Sequence, residues 1–300
     1  MSTQLPKITV VTPSFKQVQY LEATIKSVIA QDYPNLEWLV VDGGSTDGSV
    51  DLIKKYEKHF TWWVSEKDRN HPHALNKGYE RATGDIFCFV NSDDTLTPGA
   101  LHYVAKEFQQ PGVDWVVGWA TYFTDEGEEW PYGVKQCTRD TDWFRHNPIP
   151  QISSFWRTEA FKKVGGFTEK YLWAFDYEYW VRLWFKGGYR PKVVRRCLGN
   201  FRLQPQSKTC SKPENYVPDF AGLRAEYASY ITPSQRRWVE KWKSHKDMQK
   251  TRNAVWNALK SNDRKTARRL AIQAVRENSM SINNWRLMYF TLRGAPDGAL

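Results

Sequence analysis

The stretch IFCFVNSDD, residues 86–94, is an uninterrupted apolar run that stops on two adjacent carboxylates. Ile86–Val90 reads as a strand buried on both faces, because a short apolar run without polar alternation fits the inside of a sheet. Asn91-Ser92-Asp93-Asp94 ends it on polar groups, and Pro98 stands where the first turn of a helix tolerates proline. Upstream, Ile8–Thr12 (ITVVT) is a second such run, ended by Pro13-Ser14. Leu36–Val41 (LEWLVV) is a third, ended by the turn cluster DGGSTDG at residues 42–48. Between them, Leu21, Ile25, Val28 and Ile29 recur at helical spacing. Trp62–Val64 reads as a short strand, and His73–Thr83 as a helix closed by Gly84. This alternation predicts an α/β fold with a mainly parallel sheet covered on both faces. Ligands of such sheets bind outside the carboxyl ends of the strands. Three strand ends here carry polar clusters: Pro13-Ser14, Asp42-Gly43-Gly44 and Asn91–Asp94.

The middle of the chain is less regular. Trp115–Phe123 reads as a strand followed by a turn at Asp125-Glu126-Gly127, and Asp176–Phe185 as a helix closed by Gly187-Gly188. From Asn215 onward strand signals fade, and residues 219–230, 234–248, 250–260, 263–277 and 281–292 read as helices. The expected organisation is one α/β domain over residues 1–214 and an α-helical region over 215–300, divided near Pro213 and Pro218.

Composition narrows the class. With 41% hydrophobic and 25% charged residues among 300, the chain is globular, not disordered. Cys88, Cys137, Cys197 and Cys210 show no C-x-x-C spacing, which argues against a structural zinc site or disulfide framework and for a reducing compartment. No signal peptide and no apolar run of ~18–20 residues is apparent, so a cytoplasmic protein is expected, peripheral at most. A net charge of +10 concentrates around Arg236, Arg237, Lys241, Lys243, Lys246 and the Arg264/Lys265/Arg268/Arg269 cluster. Together with Trp238, Trp242, Trp256 and Trp285 it makes the inner face of the plasma membrane a candidate partner, although the same tryptophans suit helix packing or a homo-oligomer interface.

Ser92-Asp93-Asp94 carries two readings. Paired carboxylates at a strand end hold a hard divalent cation through oxygen, and the same residues cap a following helix. Asp42 likewise reads either as a hydrogen-bond acceptor for a base or ribose or as the anchor of its own turn. Neither G-x-G-x-x-G nor G-x-x-x-x-G-K-[ST] is present, so dinucleotide-binding and P-loop fingerprints are missing.

Three blocks together carry a resemblance. ITVVTPSFKQVQYLEATIKSVIAQDYPNLEWLVVDGGSTDGSVDLIKKY, WVSEKDRNHPHALNKGYERATGDIFCFVNSDDTLTPGAL and PQISSFWRTEAFKKVGGFTEKYLWAFDYEYWVRL are similar, in order, to the blocks of family 2 glycosyltransferases of the bacterial cell-surface glycan type, over roughly residues 6–210. The resemblance implies the GT-A fold and inverting, non-processive transfer of one sugar from a UDP-, GDP- or dTDP-sugar to a glycan, lipid-carrier or protein acceptor. It places Pro13, Ser14, Phe15, Asp42, Asp68, Arg69, Asn76, Ser92, Asp93 and Arg202 on the nucleotide sugar, and Asp94 with Asp93 on Mn²⁺ or Mg²⁺. Asp176 matches the catalytic base. Two positions depart from the family pattern: Phe175 stands where many relatives have an acid, and Gln204 where a histidine is common. His71 and His73 are expected at the surface or against the donor. Gln235-Arg236-Arg237-Trp238 is one residue short of the Q-x-x-R-W motif of processive synthases. The competing classes are a nucleotidyltransferase, which lacks its glycine-rich loop here, and an inactive sugar-nucleotide-binding protein with a basic lipid-binding tail. No nucleic-acid partner is expected.

Overall fold

The computed structural model describes residues 5–134, 137–261 and 263–277, with residues 288, 291 and 292. The expected alternation forms the first half: β1 (Ile8–Ser14), α1 (Val18–Ile29), β2 (Leu36–Asp42), α2 (Ser49–Tyr56), β3 (Trp62–Ser65), α3 (His71–Arg81) and β4 (Ile86–Phe89). There follow β5 (Thr95–Leu96), α4 (Ala100–Phe108), β6 (Trp115–Phe123), β7 (Glu129–Tyr132), β8 (Ser154–Arg157), α5 (Thr158–Val164), α6 (Phe175–Arg182), β9 (Lys192–Arg202), α7 (Lys208–Ser211) and α8 (Tyr216–Glu226). One sheet runs β3-β2-β1-β4-β8-β6-β9-β5, with β7 beside β6. β1 to β4 pair in parallel, whereas β8 is antiparallel to both its neighbours.

Alternation along β4 separates the two layers. Ile86 and Cys88 face a core shared with Leu21, Ile25 and Val28 of α1, Ile53 of α2 and Val104 and Phe108 of α4. Phe87 and Phe89 face the other way, into rings from α3, β8, α5, α6 and the segment between the last two: Phe87 meets Tyr79, Phe161 and Trp156, and Phe89 meets Phe167 and Phe175. Burying each large ring contributes about 1.5–3 kcal/mol, so much of the aromatic content is core. The second layer also brings α3 and α6 to the same edge of the sheet as the end of β4.

Glycines set two close approaches. A β-carbon on Gly78 would stand 2.6 Å from a Val11 methyl, so α3 lies directly on β1. Gly84 is not a helix cap as the sequence suggested, because α3 ends at Arg81. It is needed because a β-carbon there would stand 2.5 Å from Thr9 Oγ1. The helix after Pro98 also begins later than expected, at Ala100, behind Gly99 at φ 71°.

The chain divides into two compact units, Met1–Tyr230 and Ile231–Leu300, so the contact boundary falls after α8 and not at residue 214. In the second unit, α9 (Pro233–Lys260) is one continuous helix where two were expected, started by a Thr232–Gln235 capping box. It packs on α10 (Arg264–Glu277) through Val255, Ala258, Ala267 and Ala271. Trp256 packs against that small core and Trp238 is 45% exposed. The Trp242 side chain, Trp285 and most of the helix expected over 281–292 lie outside the described residues. Among the described residues no helix is long and apolar enough to cross a membrane.

The packing of α3 on β1 is testable. Gly78→Ala is expected to cost about 1–3 kcal/mol through overpacking, read as a lower urea midpoint. Combined with Val11→Ala, the loss should fall below the sum of the two single losses, because both act on one contact.

Candidate active site

The polar end of β4 is built as a closed turn. Val90 N–H still bonds Val11 O at 3.0 Å, and Asp94 N–H then turns back to Asn91 O at 3.1 Å. The two carboxylates leave this turn in different environments. Asp94 is 1% exposed; its Oδ1 accepts Arg202 N–H at 3.0 Å and its Oδ2 accepts Asn91 Nδ2 at 3.1 Å. Asp93 is 9% exposed, and its Oδ2 accepts the side-chain amides of Gln17 at 3.2 Å and Gln204 at 3.1 Å. Ser92 is buried and donates to Gln17 Oε1. Burial pushes the Asp93 carboxyl above its ordinary range. Burial, together with the neighbouring charge of Asp93, pushes Asp94 well above it. Neither residue caps the next helix, whose N-cap is Gly99. Among the described residues no three His, Cys, Asp or Glu side chains converge into a metal cage.

Arg202 ties this corner together. Its Nε donates to Asp93 O at 3.1 Å, its guanidinium pairs with Asp125 and it lies over Phe123 at 4.4 Å and Tyr20 at 4.9 Å. Arg202 thereby fastens the end of β9 to the turn after β4 and to the end of β6.

The ends of β1 and β2 form a second group. Pro13 and Ser14 are buried, whereas Phe15 is 56% exposed. A β-carbon on Gly43 would stand 3.1 Å from the Phe15 ring and 3.4 Å from Asp68 Oδ2, so these three converge. Asp42 is fully buried and anchors its own turn: Oδ2 accepts Gly44 N–H, Ser45 N–H and Ser65 Oγ, and Oδ1 accepts Ser45 Oγ. Asp68 accepts Lys77 Nζ at 2.7 Å and lies 3.1 Å from His73 Nδ1. Two other residues expected on the nucleotide are engaged elsewhere. Arg69 forms a bidentate pair with Glu169. Asn76 clamps Phe167, giving Nδ2–H to its carbonyl and taking its N–H, each at 2.8 Å.

Asp176 stands in the first turn of α6, two residues after the N-cap Ala174. Its Oδ1 accepts Tyr177 N–H at 2.7 Å and its Oδ2 accepts Asn147 Nδ2 at 3.4 Å. Burial raises its carboxyl to about 6, against the opposing pull of those donors and of the Lys208 charge. Lys208 donates to Leu172 O at 3.0 Å, and burial pushes its ammonium below the usual lysine range.

His71 joins the two halves. It is half-buried, with its ring 4.9 Å from Phe175 and its side chain beside Asn91. Burial lowers its pKa to about 3, so the imidazole is neutral. The turn at Asn91 and the helix carrying Asp176 thus share one wall. Gln17 and Asn147, which touch Asp93 and Asp176, carry no signal in the sequence that separates them from ordinary surface amides.

Comparison with known proteins agrees with this geometry. Residues 9–168 match the profile described as glycosyl transferase family 2. An uncharacterized glycosyltransferase of Mycobacterium tuberculosis is 28% identical over 195 residues, covering 60% of this chain and 70% of that one. The Campylobacter jejuni GalNAc(5)-diNAcBac-PP-undecaprenol beta-1,3-glucosyltransferase is 31% identical over 101 residues, covering 32% of this chain and 33% of its own length. In structure, S. aureus TarS in complex with UDP-GlcNAc superposes with TM-score 0.62 at 16% identity, covering 96% of this chain and 92% of that chain. The Pyrobaculum calidifontis mannosyltransferase PcManGT, in complex with GDP-Man and Mn²⁺, gives 0.55 at 18% identity, covering 93% and 88%. The chain belongs to glycosyl transferase family 2 and is a glycosyltransferase of the GT-A fold.

Proposed function

We propose that the protein transfers a single sugar from a nucleoside-diphosphate sugar to an acceptor hydroxyl with inversion, without processivity, in the assembly of a cell-surface polysaccharide. The observation that carries this reading is Asp176: one partly buried carboxylate, raised to about 6, on the same wall as the Asn91–Asp94 turn. A base of that strength is ionised at neutral pH yet able to take a proton. Asp176 Oδ2 removes the acceptor proton as the acceptor oxygen bonds to the anomeric carbon. The bond from that carbon to the diphosphate breaks on the opposite face, which inverts the centre. Phe15 and Asp68 border the nucleotide pocket, with Asp42 and Ser14 shaping its floor, and a UDP-, GDP- or dTDP-sugar is the donor.

The corner at Asp93 and Asp94 fits a divalent cation of the Mn²⁺ or Mg²⁺ kind, because burial raises both carboxyls and the Asp93 charge raises Asp94 further, a strain that positive charge relieves. Such ions bind through one or two carboxylates plus substrate phosphates and need no all-protein cage. Asp93, the carboxylate that still reaches solvent, would hold it, and the ion would supply charge neutralisation for the leaving diphosphate. Asp94 keeps the turn in place from behind.

Three outcomes test this reading. Asp176→Asn should lower kcat by about 10²–10⁴-fold while the donor that raises the melting temperature of the native protein raises that of the variant equally. Because the Asp176 carboxyl is raised, it is protonated and inactive in acid: kcat/KM should fall on a one-proton limb centred near pH 6. Removing the Lys208 charge (Lys208→Met) should move that limb upward. Asp93→Asn should erase the extra stabilisation that Mn²⁺ adds to nucleotide binding. Asp94→Asn should instead lower the stability of the unliganded protein, because it removes a buried acceptor; the reverse pattern would return the metal to Asp94.

A further inference from the structure

Resting on that reading, we propose that Asp219 is a positioning residue for the base: from α8 it fixes the backbone that carries Asp176, without touching the reacting groups. Asp176 has little freedom of its own. Its Oδ1 accepts the N–H of the next residue, Tyr177, at 2.7 Å, so the carboxylate goes where the first turn of α6 goes. That turn is poorly secured from within. Its N-cap is Ala174, which has no side-chain acceptor to offer the unpaired N–H groups of a helix start. The acceptor comes instead from 45 residues further along the chain. Asp219 Oδ2 takes the N–H of Trp173 at 2.8 Å and that of Ala174 at 3.1 Å. A carboxylate oxygen makes such bonds stronger than a neutral acceptor would. Lys208 of α7 takes up the carbonyl just before them, donating to Leu172 O at 3.0 Å.

The same helix holds the second backbone that reaches Asp176. Arg224 donates Nε to Phe144 O at 2.8 Å and Nη2 to Arg145 O at 3.4 Å. That segment leads to Asn147, whose side-chain amide lies 3.4 Å from Asp176 Oδ2. Between these two attachments α8 follows residues 170–177 closely. Tyr216 meets Trp173 edge-on at 5.7 Å, and Phe220 meets Tyr177 at 5.1 Å. A β-carbon on Gly222 would stand 3.0 Å from the Tyr171 ring. Leu223 anchors the helix in the core, being 1% exposed, while Asp219 and Arg224 direct their polar groups to the backbone of other segments. Both segments that touch the Asp176 carboxylate are thus tied to one helix.

The test uses the full chain and the nucleotide sugar that raises its melting temperature, with nucleotide release to water as the measured reaction. Misplacing a reacting group by an ångström costs about 10²-fold, so Asp219→Ala should lower kcat by about 10–10²-fold. Donor KM and the donor-induced melting shift should stay native, because the loss falls on the chemical step and not on binding. Asp219→Asn keeps an acceptor oxygen in the same place and loses only the charge, so it should recover most of kcat. If Asp219→Ala does not fold, Arg224→Met, which releases the Phe144 carbonyl, should show the same fall in kcat at an unchanged donor shift. Native kcat in these variants, a donor shift lost together with kcat, or an asparagine variant as slow as the alanine one would overturn the positioning role. Native kcat in Asp176→Asn would instead overturn the base reading on which it rests.

Discussion

A carboxylate as deeply buried as that of Asp94 is costly unless its oxygens are satisfied, and the polar end of the sheet is arranged around that requirement. Asn91 supplies one donor from the same turn and the Arg202 backbone supplies the other from the end of β9. Thr24 of α1 donates to the Asp94 carbonyl at 2.7 Å. Two segments far apart in sequence, α1 and the end of β9, are thereby held to one residue. Asp93, the residue before it, directs its carboxylate to the side-chain amides of Gln17 and Gln204 instead.

The aromatic layer does for Asp176 what Asp94 does for Asp93. Phe87 and Phe89 project from β4 onto rings carried by α3, α5 and α6, so the strand that ends in the acidic turn also fixes the helix that carries Asp176. His71 sits at the joint, against Phe175 on one side and Asn91 on the other. A neutral imidazole tolerates that apolar setting, whereas an imidazolium would not. Asn76 adds a second tie by holding the Phe167 backbone with both ends of its amide. Two of the residues nearest the reacting groups are thus parts of the frame.

The first half of the sheet was legible because its strands are unbroken apolar runs separated by helices of regular spacing. β9 was not, since Lys192, Arg195 and Arg196 interrupt its pattern and its pairing with β6 shifts register twice near Trp119. The single helix α9 was read as two because of its uneven apolar spacing, although no glycine or proline breaks it. At the site, residue types were legible and orientations were not. The sequence leaves Asp42 as either a ligand for a base or ribose or the anchor of its own turn, and only the fold shows Ser45 and Ser65 on its oxygens. Arg69 and Asn76 had identities suited to a nucleotide, but Glu169 and Phe167, about a hundred positions away, decide where they point. Such choices depend on long-range neighbours that no local spacing encodes.

Gln17 and Gln204 sharpen what this corner can accept. Both are neutral amides that donate to the same oxygen of Asp93, and neither brings charge. Arg202 does bring a positive charge, but it shares it with Asp125 and spends its Nε on a backbone carbonyl. Two close carboxylates are therefore opposed by less than one full cation. A nucleoside diphosphate is itself an anion, and like charges a few ångströms apart in a partly dry site repel by several kcal/mol at an effective dielectric of about 20. A histidine at position 204 would offset part of that repulsion when protonated; glutamine offers none at any pH. On the proposed reading, the balance of charge at Asp93 and Asp94 would favour a diphosphate that arrives with its own divalent cation over one that arrives alone.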